Sequence, residues 1–294
     1  MNKIIVTGSA GFIGMHTCTK LREMGMNVYG YDIKTPKRGH DICDYDMLSS
    51  IVEEGDKILH LAAVARFADA EKNPREAWRT NVHGTATVAL VAAHRKADRV
   101  IYSSTGSVYM PVNPKIVPIT EKHPVDPGGE FGGGNSVYGI TKAAAELPIR
   151  TGTTPWIILR YAHLYGIGKI GGAVGAFVDR MERGLKPTLF GGEQSNDFCY
   201  VGDVVDANIL ALFAHDKSMN QDYNIGTGEE LTTEVAFKTM RQVFGYRKEF
   251  ERTESRNVDA SRMIFDISKA KELLGYDPKF SLAEGLADMK KYMK

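Results

Sequence analysis

Apolar positions fall in two rhythms along the first half of the chain. Lys3-Ile4-Ile5-Val6-Thr7, Asn27-Val28-Tyr29-Gly30-Tyr31, Lys57-Ile58-Leu59-His60-Leu61, Arg99-Val100-Ile101-Tyr102-Ser103 and Trp156-Ile157-Ile158-Leu159-Arg160 are short apolar runs that read as strands. Residues 12–24, 45–53, 75–96 and 136–147 read as helices between them, the last expected to stop at Pro148 because proline cannot continue a helix interior. Strand–helix alternation at this spacing predicts parallel βαβ units with helices on both faces. Right-handed crossovers then give an α/β fold, a Rossmann-type doubly wound parallel sheet. After about Arg160 the rhythm becomes irregular, and Gly166, Gly168, Gly171, Gly172 and Gly175 crowd one loop. Helical spacing returns at Ser268–Leu274 and near residues 281–293. This part predicts a smaller, partly interleaved lobe.

Composition narrows the partners. The 294 residues carry 43% hydrophobic and 25% charged positions and a net charge of +1. That balance gives no electrostatic case for nucleic acid or an anionic membrane. No apolar run approaches the ~18 residues needed to span a bilayer. The N-terminal apolar segment breaks at glycine and makes a poor signal peptide, so the expected location is cytoplasmic. Cys18, Cys43 and Cys199 lie far apart, without metal-type or disulfide-framework spacing, and no metal is expected.

The first strand runs into Thr7-Gly8-Ser9-Ala10-Gly11-Phe12-Ile13-Gly14, three glycines at intervals of three where a helix opens. Gly8 permits the tight turn, Gly11 lets the backbone approach a pyrophosphate, and Gly14 lets helix and strand pack closely. The helix N-terminus offers free N–H groups and partial positive charge to the anion. Asp32 ends the second strand, 18 residues after Gly14, where an acidic residue accepts bonds from the adenosine ribose. Its charge favours NAD over NADP, while Lys34, Lys37 and Arg38 keep NADP open. Tyr138-Gly139-Ile140-Thr141-Lys142 places a phenol and an ammonium on one helix face. A phenol of pKa ~10 needs such a neighbour before it can act as a base near neutrality.

The T-G-x-x-G-F-I-G turn resembles the extended short-chain dehydrogenases, the NAD-dependent epimerase/dehydratase family, and in particular UDP-glucose 4-epimerase-like members. Asp41-Ile42, His60-Leu61-Ala62-Ala63, Asn81-Val82-His83-Gly84-Thr85, Ser103-Ser104-Thr105-Gly106-Ser107-Val108-Tyr109 and the closing Asp266-Ile267-Ser268-Lys269-Ala270 match its motifs in order. The resemblance implies cofactor contacts at Gly8, Gly11, Phe12, Ile13, Gly14, Asp32, Asp41, Ile42, Leu61, Ala62, Ala63, Asn81, Ser103, Tyr138, Lys142 and Tyr161. It implies catalysis by Thr105, Tyr138 and Lys142, with Tyr138 taking the hydroxyl proton, Lys142 lowering its pKa and holding the nicotinamide ribose, and Thr105 aligning the reacting oxygen. It also implies a homodimer through the catalytic helix and the one before it, which the stop expected at Pro148 would shorten. Residues 1–163, with about 197–226, are expected to form the NAD-binding domain, and about 164–196 with 227–294 the substrate lobe.

Gly106-Ser107 stands where dehydratases of the family carry two acids and decarboxylases a glutamate, so elimination and decarboxylation lose their acid–base groups. A nucleotide-sugar epimerase acting through a keto intermediate fits best, with the UDP-glucose/UDP-galactose 4-epimerase type expected. A reductase or dehydrogenase of the same fold and a non-catalytic NAD-binding sensor are the alternatives. Substrate contacts are expected at Thr105, Ser107, His163, Asn196 and Arg256. Two depart from the pattern: Asn196 replaces an arginine that grips a nucleotide diphosphate, and His163 replaces an asparagine. Other groups, such as Lys169, would then take over, and Arg66 could face the pocket. His163 is expected to pack rather than to catalyse. The glycine-rich residues 128–134, just ahead of Tyr138, are expected to form a lid.

Overall fold

The computed structural model describes residues 2–35, 40–109, 117–125, 136–169, 171–254 and 262–292. Strands β1 (Ile4–Thr7), β2 (Val28–Tyr31), β3 (Lys57–His60), β4 (Arg99–Thr105) and β5 (Trp156–Tyr161) form a parallel sheet with β10 (Gln221–Ile225). The order is β10-β5-β4-β3-β1-β2, the doubly wound architecture that the alternation predicts. The chain leaves the sheet after β5, builds most of a second lobe, and returns as the edge strand β10.

Alternation along the strands divides two cores. Ile4, Val6, Leu59, Ile101, Ile157 and Leu159 meet Cys18 and Leu21 of α1 (Phe12–Glu23) and Val204, Ala207 and Ala211 of α8 (Val201–Leu212). Ile5, Ile58, Val100, Tyr102 and Ile158 point the other way. They meet Leu48 of α2 (Tyr45–Ile51), Val88 and Ala92 of α5 (Gly84–His94), and Ala145 and Ile149 of α6 (Val137–Thr151). Both faces are covered, which is why these strands read as continuous apolar runs.

Two helices depart from expectation. The segment expected at 75–96 comprises α4 (Pro74–Ala77), a π-helical turn at Trp78–His83 and α5. It is preceded by α3 (Phe67–Lys72), too short for its periodicity to register. Helix α6 does not stop at Pro148 but continues to Thr151. Proline forfeits one amide bond there, a net loss of about 1 kcal/mol. The turn beyond it is held by buried Ile149 and by Arg150, which pairs with Glu146 and Asp222 at 3.0 Å each. The predicted shortening of this helix is therefore absent.

While α10 (Ser268–Leu274) packs through Ala270 and Leu274 into the core of the six-stranded sheet, the second lobe gathers β6 (His163–Tyr165), α7 (Gly172–Glu182), β7 (Thr188–Phe190), β8 (Ser195–Asn196), β9 (Phe198–Tyr200), β11 (Leu231–Thr232), α9 (Thr233–Phe244), β12 (Glu251–Thr253), β13 (Arg262–Met263) and α11 (Leu282–Lys290). Phe177, Leu189, Phe237 and Leu286 centre its core, with the Phe177 and Phe237 rings edge-to-face at 4.5 Å. β8 lies between β11 and β13; strands of two or three residues are too short for a period of two to show in sequence.

Candidate active site

The parallel register sets Thr7 beside His60 and Tyr31, and Thr105 beside Tyr161, so the carboxyl ends of the strands share one edge. Ligands of open α/β sheets bind at that edge. Gly8 turns the chain at φ +68°, and a Cβ on it would lie 2.7 Å from the Ala62 amide nitrogen. A Cβ on Gly14 would lie 2.2 Å from the Gly8 carbonyl oxygen. Gly11 caps α1 with no side chain, and no acid occupies the first turn. The amides of Phe12, Ile13 and Gly14 are thus left to an anion such as a pyrophosphate.

The rest of this cradle is tied together by hydrogen bonds. Asp32 is buried at the end of β2 and accepts the amides of Ala10 at 2.9 Å and Lys34 at 2.8 Å. Asp41 accepts the Cys43 amide at 2.9 Å and pairs with Arg79, and Ile42 is buried against Gly84. The amides of Leu61 and Ala62, just before Ala63, both donate to the Thr7 hydroxyl at 3.1 Å. With two donors on its oxygen, Thr7 gives its own proton to His60 Nδ1 at 2.7 Å. His60 then carries its proton on Nε2, facing the Thr85 hydroxyl at 2.9 Å, and Thr85 donates to the Asn81 carbonyl at 2.5 Å. Burial, with the charge of Lys142, lowers the His60 pKa to about 3, so this chain stays neutral. Asn81, in the π-helical turn, accepts the Val64 amide at 2.8 Å and donates to Thr141 at 2.9 Å. It fastens the nucleotide side of the cleft to α6.

Ser136 opens α6 by accepting the Gly139 amide at 2.9 Å, and Tyr138 and Lys142 follow one turn apart. Thr105 acts on the Tyr138 phenol, drawing its pKa down, and the Thr105 hydroxyl donates to Ser107 Oγ at 3.3 Å. Lys142 Nζ donates to the Ser103 carbonyl and lies 4.2 Å from the Tyr102 ring centroid. Burial lowers the Lys142 pKa to about 7, against the pull of Glu146. Burial raises Tyr138, with Thr105 opposing. The Lys142 ammonium is turned to the Ser103 carbonyl and the Tyr102 ring.

Behind the triad lies a buried ion network. Glu146 accepts Ser104 Oγ at 2.7 Å and is gripped by Arg160 through Nε at 2.9 Å and Nη2 at 2.7 Å. Arg160 also donates to the Tyr109 hydroxyl at 2.7 Å and pairs with Asp222 at 3.1 Å. Burial alone would raise Glu146, but the hydrogen bonds and charge of Arg160 hold it below its usual range.

On the substrate side, β8 pairs with β13 so that Asn196 and Met263 share a face, and Met263 and Phe265 close over Gly106. A Cβ on Gly106 would lie 2.7 Å from Phe265 Cζ and 2.9 Å from Met263 Sδ. Asp197 is spent on structure, accepting Thr227 through its amide and hydroxyl, both at 2.7 Å, and the Gly228 amide at 3.0 Å. His163 packs edge-on against Phe198 at 5.3 Å. Tyr161 is buried with its hydroxyl on Asn208 at 2.6 Å. Arg256 and the glycine-rich residues 128–134 lie outside the described residues.

A family model described as NAD dependent epimerase/dehydratase matches residues 4–226. The chain belongs to that family. A relative from Methanocaldococcus jannaschii, a putative UDP-glucose 4-epimerase, is 33% identical and aligns with 99% of this chain and 98% of its own. A UDP-glucuronic acid decarboxylase from Arabidopsis thaliana is 31% identical over 97% of this chain and 86% of its own. The crystal structure of a UDP-glucose 4-epimerase from Thermotoga maritima with UDP-glucose superposes with a TM-score of 0.87 at 34% identity, covering 99% of this chain and 98% of that one. In this NAD-dependent family member, Glu146 carries no sequence motif, and His60 stands in a matched stretch that gives it no role of its own. One signal was present: Arg160 is a charge at the end of an otherwise apolar run, and a buried arginine requires a carboxylate.

Proposed function

We propose that the chain is an NAD-dependent epimerase of a nucleoside diphosphate hexose, of the UDP-glucose/UDP-galactose type, inverting C4 through a keto sugar. The observation that carries this reading is a Thr105–Tyr138–Lys142 constellation with no carboxylic acid at 106–107, where Met263 and Phe265 leave Gly106 no room for one. The glycine turn, free α1 amides and Asp32 fit a dinucleotide. Bound NAD supplies the hydride acceptor and the positive ring charge that favours phenolate at Tyr138. Tyr138 takes the proton from the sugar hydroxyl and returns it after the keto sugar has turned over. Thr105 holds the reacting oxygen toward Tyr138. Lys142, released from Ser103, stabilises the phenolate by its charge.

Ser107, His163, Asn196 and Arg256 are proposed to line the sugar-nucleotide side. Residues 1–163 with 197–226 are proposed as the cofactor domain, and 164–196 with 227–294 as the substrate lobe. Exposed Leu90 on α5 and Leu147 on α6, 63% and 61% accessible, support a homodimer through this helix pair. No described helix is long and apolar enough to cross a membrane, and a cytoplasmic enzyme is proposed.

A second reading, a reductase or dehydrogenase with a dissociable cofactor, is favoured by Asn196 in place of arginine. Denaturing the purified protein, identifying released cofactor by absorbance and mass spectrometry, and incubating the native protein with UDP-, GDP- and dTDP-sugars decides between them. Stoichiometric NAD with interconversion of two epimers supports the epimerase. An empty site with turnover only on consumption of added NAD or NADH overturns it.

A further inference from the structure

Alternate positions of β4 meet successive turns of α6. Ser104 reaches Glu146 at 2.7 Å, and the Tyr102 ring, two residues earlier, has its centroid 4.2 Å from Lys142 Nζ. The Glu146 turn is saturated. Its oxygens also accept Arg160 Nε at 2.9 Å, Arg160 Nη2 at 2.7 Å and Arg150 Nη2 at 3.0 Å. A carboxylate has about four acceptor places, so none is left for Lys142. Lys142 is nevertheless buried, and no ion pair reaches it among the described residues. A buried ammonium without a carboxylate is costly. The Ser103 carbonyl and the face of Tyr102 stand there instead. The buried Tyr102 hydroxyl has no hydrogen-bond partner of ordinary geometry, so this position contributes its ring. The remaining titratable neighbours are spoken for. His60 stands beside Tyr102 on β3, its ring centroid 5.6 Å away, and its bonds to Thr7 and Thr85 hold it in the neutral form, so no second cation competes for the ring. Arg160 on β5 is turned to Glu146, and Arg79 of the π-helical turn to Asp41. Tyr138 precedes Lys142 by one turn on α6 itself.

We infer that Tyr102 is a positioning residue, whose ring face seats the Lys142 ammonium in place of a carboxylate and holds it one turn from Tyr138. What the ammonium then does rests on the epimerase reading above. A carboxylate at this spot would hold the charge but also cancel it, and the Tyr138 phenolate would gain nothing from the neutral pair. An aromatic face attracts the cation and leaves its net charge in place, the more strongly where water is excluded. It also leaves the three N–H bonds unfixed, so the ammonium can turn from the Ser103 carbonyl toward Tyr138 without leaving the ring. The alternation of β4 thus separates two jobs: Ser104 belongs to the rigid ion pair, and Tyr102 to the charge that must stay available.

Nitrogen NMR titration of the Lys142 amino group in the cofactor-free full chain tests this, with Lys142→Met identifying the signal. Tyr102→Phe is the reference. Mono-, di- and trifluorinated phenylalanine at position 102 then drain charge from the ring face while keeping its shape, and an unchanged circular dichroism spectrum shows that the fold is kept. The Lys142 midpoint should fall in step with fluorination, by about one pH unit at the trifluorinated ring. In a coupled epimerisation assay the alkaline limb of kcat should move down with it, because the ammonium loses its proton sooner. A midpoint indifferent to fluorination overturns the seat, since a ring that only fills space would give that result. A midpoint that moves while the limb stays in place overturns its part in proton transfer. Graded midpoints in a protein that binds NAD but interconverts no sugar nucleotide leave the seat standing and remove the epimerase reading.

Discussion

The candidate catalytic edge and the second lobe use charge in opposite ways. Behind the triad, Glu146 and Arg160 are 3% and 2% exposed and hold each other in a network that reaches Ser104, Tyr109 and Asp222. In the second lobe, Arg262 pairs with Glu230 beside β8 with the two side chains 40% and 39% exposed, and Arg252 pairs with Glu234 with 49% and 27% exposed. A buried pair loses little of its attraction to solvent but leaves a stranded charge when broken; an exposed one is screened and replaceable. The active-site wall therefore has one permitted arrangement. The second lobe can exchange such residues at small cost, and it contains Asn196, which departs from the family pattern.

The largest effect should come from the reacting group. Tyr138→Phe should lower kcat by about 10²–10⁴ in a coupled epimerisation assay while NAD remains bound. Retained turnover would place the proton-transfer group elsewhere and end the claim that this edge is the rigid, reacting one. Next, Glu146→Ala should cost about 3–5 kcal/mol by stranding Arg160, lowering Tm by roughly 10 °C. Glu230→Ala, the matching lesion in the lobe, should cost under about 1 kcal/mol. Equal losses in thermal melts would erase the contrast. Gly106→Asp, which drives a side chain into Met263 and Phe265, should cost about 1–3 kcal/mol and create no dehydratase activity in a product assay.

The smallest and most pH-dependent effect concerns Lys142. Its folded pKa of about 7 lies below the ordinary 10.5, so between those values the unfolded chain binds more protons than the folded one. Stability of the cofactor-free protein should therefore rise with pH through that window, and below it the cost of the buried ammonium is fully present. Lys142→Met removes that cost. Its Tm should exceed that of the wild type by a few degrees at about pH 6, and the advantage should vanish near pH 10.5. A constant difference across pH would mean that Ser103 and Tyr102 already compensate the charge.

How far the chain could be read follows the same division. Thr7 to Gly14, Asp32, Asn81, Thr105, Tyr138 and Lys142 are local motifs on long elements, and the fold places them at one sheet edge. Glu146 carried no motif, because its meaning depends on Arg160, which approaches only when β5 pairs with β4. Pro148 misled because a rule about isolated helices met a turn fastened by Arg150 to Asp222. The strands β8, β11 and β13 were invisible, being stretches of two residues that acquire partners only in three dimensions.

The return of the chain as β10 has a consequence during synthesis. When Tyr161 has left the ribosome, β5 exposes a full row of unpaired amides and carbonyls, and its partner Gln221–Ile225 is still to be made. At about 5–20 residues per second, the roughly 60 residues between them take several seconds. Throughout that interval the nascent protein carries an open, apolar sheet edge able to recruit a neighbouring chain. A truncated product ending in the glycine-rich loop after β6 should therefore aggregate, whereas one reaching past Ile225 should not.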